Sequence, residues 1–156
     1  MSVSSLEISR AKALIAPVGR RVARVLLADT DIASRLTLKS LLNAAGYAVE
    51  GAATAAEAIA RLDGNQYELV LADLRRESEE AGPRLLAYAR QKDYHPATGL
   101  ITSDLSQLDL HPEGEFSTDS IVRISDDTVS HLLASVAELI SHRADRRLRN
   151  SMRKAS

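Results

Sequence analysis

Asp29, Asp31, Asp73, Thr102 and Arg123 are the residues of this chain whose types and placement suit joint chemistry. Each stands at or near the end of a short apolar run that reads as a β-strand. Asp29 and Asp31 follow the first run, Asp73 ends the third, Thr102 ends the fourth, and Arg123 lies near the end of the fifth. Two carboxylates at one sheet edge can hold a hard divalent ion such as Mg2+, which takes a few carboxylates and keeps several waters. A carboxylate beside such an ion can attack a phosphoryl group. Metal and guanidinium together would neutralise the charge that develops during transfer. Each residue also has a plainer reading. Asp29 could be a turn residue, Asp31 the N-cap of the next helix, Thr102 a good β-former, and Arg123 a partner of Asp126 or Asp127.

Alternating strands and helices must position these residues. Val22 to Ala28 is the first strand. Residues 31–45 follow as a helix with Ile32, Leu36, Leu38, Leu41, Leu42 and Ala45, and Gly46 stands where a C-terminal cap glycine belongs. Tyr47 to Ala52 is the second strand. Thr54 and Glu57 form a capping box for the next helix, which closes at Leu62-Asp63-Gly64. Glu68 to Ala72 is apolar on both faces, as in a sheet covered by helices on both sides. Residues 74–82 are a charged loop, and Pro83 to Gln91 a helix with Pro in its first turn. Thr98 to Thr102 and Ser120 to Ile124 are the last strands. Between them, residues 103–119 hold at most one or two turns, so the fourth of five helices is weak. Asp126 opens the last helix, striped by Val129, Leu132, Leu133, Val136, Leu139 and Ile140. Such alternation implies a parallel sheet with right-handed crossovers, a three-layer α/β sandwich, and ligands at the carboxyl ends of the strands.

Composition removes whole classes. The chain has 156 residues, one domain's worth, and is 45% hydrophobic and 26% charged, as a soluble globular protein is. No apolar run approaches the ~20 residues of a membrane helix, and no signal peptide is seen. Without cysteine, disulfide scaffolds, thiolate zinc sites and thiol catalysis are out. With no Trp and one Phe, Phe116, an aromatic platform for single-stranded nucleic acid is not supported. His95, His111, His131 and His142 lack metal-ligand spacing, and no glycine-rich phosphate loop is present. The net charge of −1 hides a split: residues 1–24 carry +4, residues 143–156 carry +5, and the body between them carries −10. Any nucleic-acid contact is therefore placed in the basic ends. The reading divides the chain into a basic leader at 1–21, disordered or a short helix, a domain at 22–142, and a basic extension at 143–156. The extension is either a solvated helix end, where cations suit the dipole, or a contact for nucleic acid, a membrane surface or an acidic partner.

VLLADTD around Asp29, Gly46-Tyr47, and YELVLADL around Asp73 resemble the receiver domain of bacterial two-component response regulators over roughly residues 22–142. The spacing of Asp29, Asp73, Thr102 and Arg123 resembles that of the family's functional positions. The resemblance implies a flavodoxin-like fold with sheet order 2-1-3-4-5. It implies a phosphoryl group passed by a histidine kinase or phosphotransfer protein to Asp73, with Mg2+ on Asp29, Asp73 and the backbone carbonyl of Arg75. It makes Thr102 the switch hydroxyl and Arg123 the phosphoryl contact. The chain also departs from the pattern. Thr30 replaces the second acid of the metal site. Glu77 replaces a proline, and Gly82 comes one residue late. Arg123 replaces a lysine, Ile124 the following proline, and Ser120 an aromatic.

Two functions follow as expectations. One is a stand-alone divergent receiver in the cytoplasm, with no output domain and no enzymatic activity beyond phosphoryl acceptance and autodephosphorylation at Asp73. It would signal to a downstream protein through the face around the fourth helix, fifth strand and fifth helix, and the domains it resembles often dimerise through the face built on the last helix. The alternative is a phosphorylation-independent pseudo-receiver serving as a protein-binding or dimerisation scaffold. A receiver fragment of a longer protein, with the Arg-rich end opening a linker helix, is a third reading.

Overall fold

The computed structural model describes residues 22–102, 120–123 and 128–155. The leader at 1–21, the segment 103–119, Ile124 and Asp126 lie outside these residues. Five strands form one sheet: β1 (Arg24–Asp29), β2 (Ala48–Ala52), β3 (Leu69–Asp73), β4 (Ala97–Thr102) and β5 (Ser120–Arg123). All pairings are parallel and the order is β2-β1-β3-β4-β5. The predicted flavodoxin-like α/β fold is the observed one.

The alternation of side chains along β1 and β3 explains the layers. Leu26, Ala28, Val70 and Ala72 point into one core, with Ala58, Leu62, Leu85, Leu86 and Ala89. These come from α2 (Ala55–Gly64) and α3 (Ala81–Arg90). Val25, Leu27, Leu69 and Leu71 point the other way, against Leu38, Leu42, Leu132, Val136 and Leu139. Those belong to α1 (Ile32–Ala44) and α4 (Thr128–Ala155). Burial on both faces is why these two strands read as continuous apolar runs.

The helix ends follow local chemistry. The Thr54 hydroxyl accepts from Glu57 N–H at 3.1 Å, while Glu57 Oε2 accepts from Ala53 N–H at 3.1 Å, at the start of α2. After α1, Gly46 takes φ 104°, which L side chains rarely adopt. Its N–H donates to Asn43 O, and Tyr47 N–H donates to Leu42 O, the paired bonds of a Schellman stop. In α3, a Cβ at Gly82 would stand 3.0 Å from Leu100 Cδ1, so glycine lets the first turn approach β4 closely.

Three helices show features that the sequence pattern left open or placed differently. Ile32 and Leu36 are exposed on α1, because Leu38 and Leu42 turn the opposite side of that helix to the sheet. α3 begins at Ala81, two residues before Pro83, since a proline in the first turn removes no intrahelical bond. The last helix runs without a break to Ala155, through the expected boundary at 143. Arg143 donates to the carbonyls of Tyr94 and His95 at 2.7 and 2.9 Å, and Arg147 donates to Tyr94 O at 3.1 Å. These cations pin the helix to the turn after α3, where His95 takes φ 43°.

A polar network closes the β1–β2 edge. Tyr67, 1% exposed, donates its hydroxyl to Glu50 Oε2 at 2.6 Å, and Glu50 also pairs with Arg24 at 2.6 Å. The Tyr67 hydrogen bond and the arginines hold the Glu50 carboxyl below its ordinary 4.5, and burial beside Glu50 raises the Tyr67 phenol. A depressed carboxylate stabilises the fold above its unfolded value, and that gain is lost as the pH falls through the lower folded value. Tyr67→Phe is therefore expected to cost about 1–2 kcal/mol at pH 7 in urea unfolding. Repeating the titration below pH 4.5 should show the difference between wild type and variant shrinking; a constant difference would refute the coupling.

Candidate functional site

The parallel register makes Asp29 and Asp73 Cα partners at the carboxyl ends of β1 and β3. Thr102 and Arg123 are Cα partners at the same end of β4 and β5. The sheet thus brings the backbone positions of all four residues to one edge. The side chains of Thr102 and Arg123 lie outside the described atoms.

Asp29 is 1% exposed, one of two buried polar residues among those described. Its Oδ1 accepts from Asp31 N–H at 2.9 Å, and its Oδ2 is buried with no hydrogen-bond partner. A carboxylate oxygen in that state carries an uncompensated desolvation cost. Arg35 binds the backbone instead, donating to Asp29 O at 2.7 Å. A Cβ at Gly51 would stand 3.2 Å from Arg35 Cδ, so β2 leaves room for that stem. Thr30 lines the cleft, and its N–H donates to Asp73 O at 3.3 Å, tying the two strand ends together.

Asp73 is 20% exposed and is held by Arg75. The guanidinium Nε meets Oδ1 at 3.1 Å and Nη2 meets Oδ2 at 3.4 Å, a two-toothed pairing. Asp31 is committed elsewhere. Its Oδ2 caps α1 by accepting from Ser34 N–H at 2.8 Å, and its Oδ1 lies 3.5 Å from Arg76. The plainer reading of Asp31 as an N-cap is thus the observed one. Asp29, Thr30, Asp31, Ser34, Asp73, Arg75 and Arg76 line a single open cleft.

The cleft holds residues that sequence reasoning had not assigned. Arg75 was expected only through its carbonyl, and its side chain is paired with Asp73. Glu77 reaches across to α2, where its Oε1 accepts from Ala55 N–H at 3.2 Å. An anion at a helix N-terminus is favourable, so this contact anchors the loop. The run of charge from Arg75 to Glu80 was the available signal, but a charge run alone does not show which group each member meets.

No family model and no curated protein matches this chain. Solved structures do. A receiver domain protein of Methanospirillum hungatei is 25% identical with a TM-score of 0.68, covering 81% of this chain and 99% of its own. A response regulator of Thermotoga maritima, solved in complex with Mg2+-BeF, is 24% identical with a TM-score of 0.65, covering 76% and 99%. The signal receiver domain of an HD domain-containing protein of Pseudomonas fluorescens is 24% identical with a TM-score of 0.69, covering 85% and 97%. The fold is that of a response-regulator receiver domain.

In this receiver fold the cleft occupies the carboxyl edge of the sheet, where open α/β sheets bind ligands. The donor set suits a hard divalent ion: an orphaned, buried carboxylate oxygen stands beside a second carboxylate. Among the described residues there is no cluster of three or more acids, histidines or cysteines that would hold a metal without help from backbone or water. A buried carboxylate oxygen without a partner costs stability. Asp29→Asn is expected to raise metal-free stability by about 1–2 kcal/mol, seen as a higher urea midpoint in chelator. An unchanged or lower midpoint would show that the Asp29 carboxylate carries no uncompensated cost.

Proposed function

We propose that this chain is a divergent receiver that accepts a phosphoryl group on Asp73 and signals through protein–protein contacts. The observation that carries the reading is the pairing of Asp29 with Asp73 at the sheet's carboxyl edge, with one Asp29 oxygen buried and unpartnered. Asp29, Asp73 and the Arg75 carbonyl would hold Mg2+, with Thr30 replacing an acid and leaving more of the ion's shell to water. When bound, the ion supplies positive charge for the oxygens of the transferring phosphoryl group.

The step itself is simple. A free Asp73 oxygen attacks phosphorus while the bond from phosphorus to the donor nitrogen breaks. The electron pair stays on that nitrogen, which then takes up a proton. A histidine kinase or a phosphotransfer protein is the donor. Ile32 and Leu36, 63% and 56% exposed one turn apart on α1, offer that donor an apolar face near the cleft. Thr102 and Arg123 share the edge and are the proposed switch hydroxyl and phosphoryl contact. Phosphorylation then shifts the population between two packings of the β4 and β5 ends, which a downstream protein or a second copy reads. Acceptance and loss of the phosphoryl group are the chemistry proposed, with no further catalysis. Among the described residues no helix is long and apolar enough to cross a membrane, and a cytoplasmic location fits the donor.

The second reading is a pseudo-receiver that serves as a scaffold without phosphate. The Arg75 fork on Asp73 and the capping role of Asp31 favour it, since both use up carboxylate oxygens. One experiment separates the two. The protein is mixed with Mg2+ and acetyl phosphate or beryllofluoride, then followed by intact mass and amide NMR. A single phosphoryl adduct, lost in Asp73→Asn, with shifts at Asp29, Asp73 and Thr102, is the expected outcome. No adduct and no shift at high Mg2+ would leave the scaffold.

A further inference from the structure

We propose that the Arg75 side chain is a tethered cation that takes the metal ion's place on Asp73 and must leave before either metal or phosphoryl group can be received. The inference rests on the reading of Asp73 as phosphoacceptor and adds a control to that site.

Both Asp73 oxygens are engaged by Arg75, at 3.1 and 3.4 Å. A nucleophilic oxygen in a charge-assisted hydrogen bond is less available to phosphorus, so the fork blunts the acceptor. The fork also satisfies only one of the two carboxylates. Asp29 Oδ2 remains buried without a partner next to it. A divalent ion between the strand ends would meet both residues, which a guanidinium committed to Asp73 does not. The site therefore has two ways to neutralise Asp73, and they exclude each other by like charge.

Arg75 is placed to alternate between them. It sits in the turn after β3, two residues from Asp73, and its side chain is 36% exposed. Arg76 beside it supplies an internal comparison. It carries the same charge and lines the same cleft, but pairs with Asp31 at 3.5 Å and is 76% exposed. A contribution from charge alone would be shared by both arginines. A contribution from the fork belongs to Arg75.

The test is a Mg2+ titration of the full chain, followed by amide NMR at Asp29 and Asp73 and by the Mg2+-dependent rise in melting temperature. Arg75→Ala is expected to bind Mg2+ roughly tenfold tighter than wild type, the gain from releasing one charge-assisted contact. Arg75→Lys keeps the charge without the fork and should gain several-fold. Arg76→Ala should change affinity less than about threefold. Equal affinity in wild type and both Arg75 variants would overturn the proposal while leaving the receiver reading intact. So would an Arg76→Ala gain matching that of Arg75→Ala, which would reduce the effect to charge. Failure of every variant to bind Mg2+ or beryllofluoride would remove the receiver reading and this control with it.

Discussion

The parallel pairing of β1 with β3 is the constraint on which the rest depends. Both strands bury both faces, and Val25 to Ala28 and Leu69 to Ala72 are each 0% exposed. A one-residue slip would send every side chain of a strand into the opposite core, so the register is fixed by packing. With the register fixed, the next residue on each strand, Asp29 and Asp73, comes out side by side. Two like charges at adjacent backbone positions are unfavourable alone. The hydrophobic core imposes the juxtaposition, and the cleft must then supply cations or hydrogen-bond donors to offset it.

The surrounding elements meet that demand by different routes. Asp31 is neutralised by the first turn of α1 and by Arg76. Asp73 is neutralised by Arg75. Asp29 receives one N–H and has its backbone carbonyl held by Arg35, and its second oxygen is left over. Glu77 holds the loop that carries both Arg75 and Arg76 by docking on the start of α2. The loop reads as a mere charge run, yet each of these three members has a specific counterpart on a different element.

Legibility from sequence followed the range of the interaction. β1 and β3, the Thr54–Glu57 box and Gly46 were visible because apolar runs, caps and positive-φ turns are set within a few residues. The placement of Asp29 beside Asp73 was visible because alternation of strands and helices implies the parallel order. The role of Glu77 was not, because its partner Ala55 lies 22 residues earlier and only the folded loop brings them together. The helical state of the basic extension was among the readings, but its contact with the body was hidden for a similar reason. Residues from 143 onward lose the apolar stripe, so the sequence pattern does not show what they touch. In the fold, Arg143 and Arg147 satisfy carbonyls of the turn at Tyr94 and His95, 48 to 53 residues earlier in the chain. The six apolar residues of α1 do not all share one face: helix phase, set by Leu38 and Leu42, turns Ile32 and Leu36 outward.

The charge split takes on a different meaning in the fold. Burial pulls the Arg143 guanidinium below its ordinary value, with Arg147 acting in the same direction, so that half-buried cation is held at a cost. Its carbonyl contacts repay that cost, which makes the first turn of the basic extension part of the domain rather than a free tail. Leu148 and Met152, 61% and 65% exposed, mark where the helix leaves the body behind. At the other end of the sheet the opposite logic holds. The acidic cleft keeps one oxygen of Asp29 without a partner, in a protein whose buried polar groups are otherwise nearly all satisfied among the described residues. A core assembled for stability alone would have placed an apolar residue or an amide at position 29. In the proposed receiver, the Mg2+ ion is the partner that this carboxylate oxygen lacks.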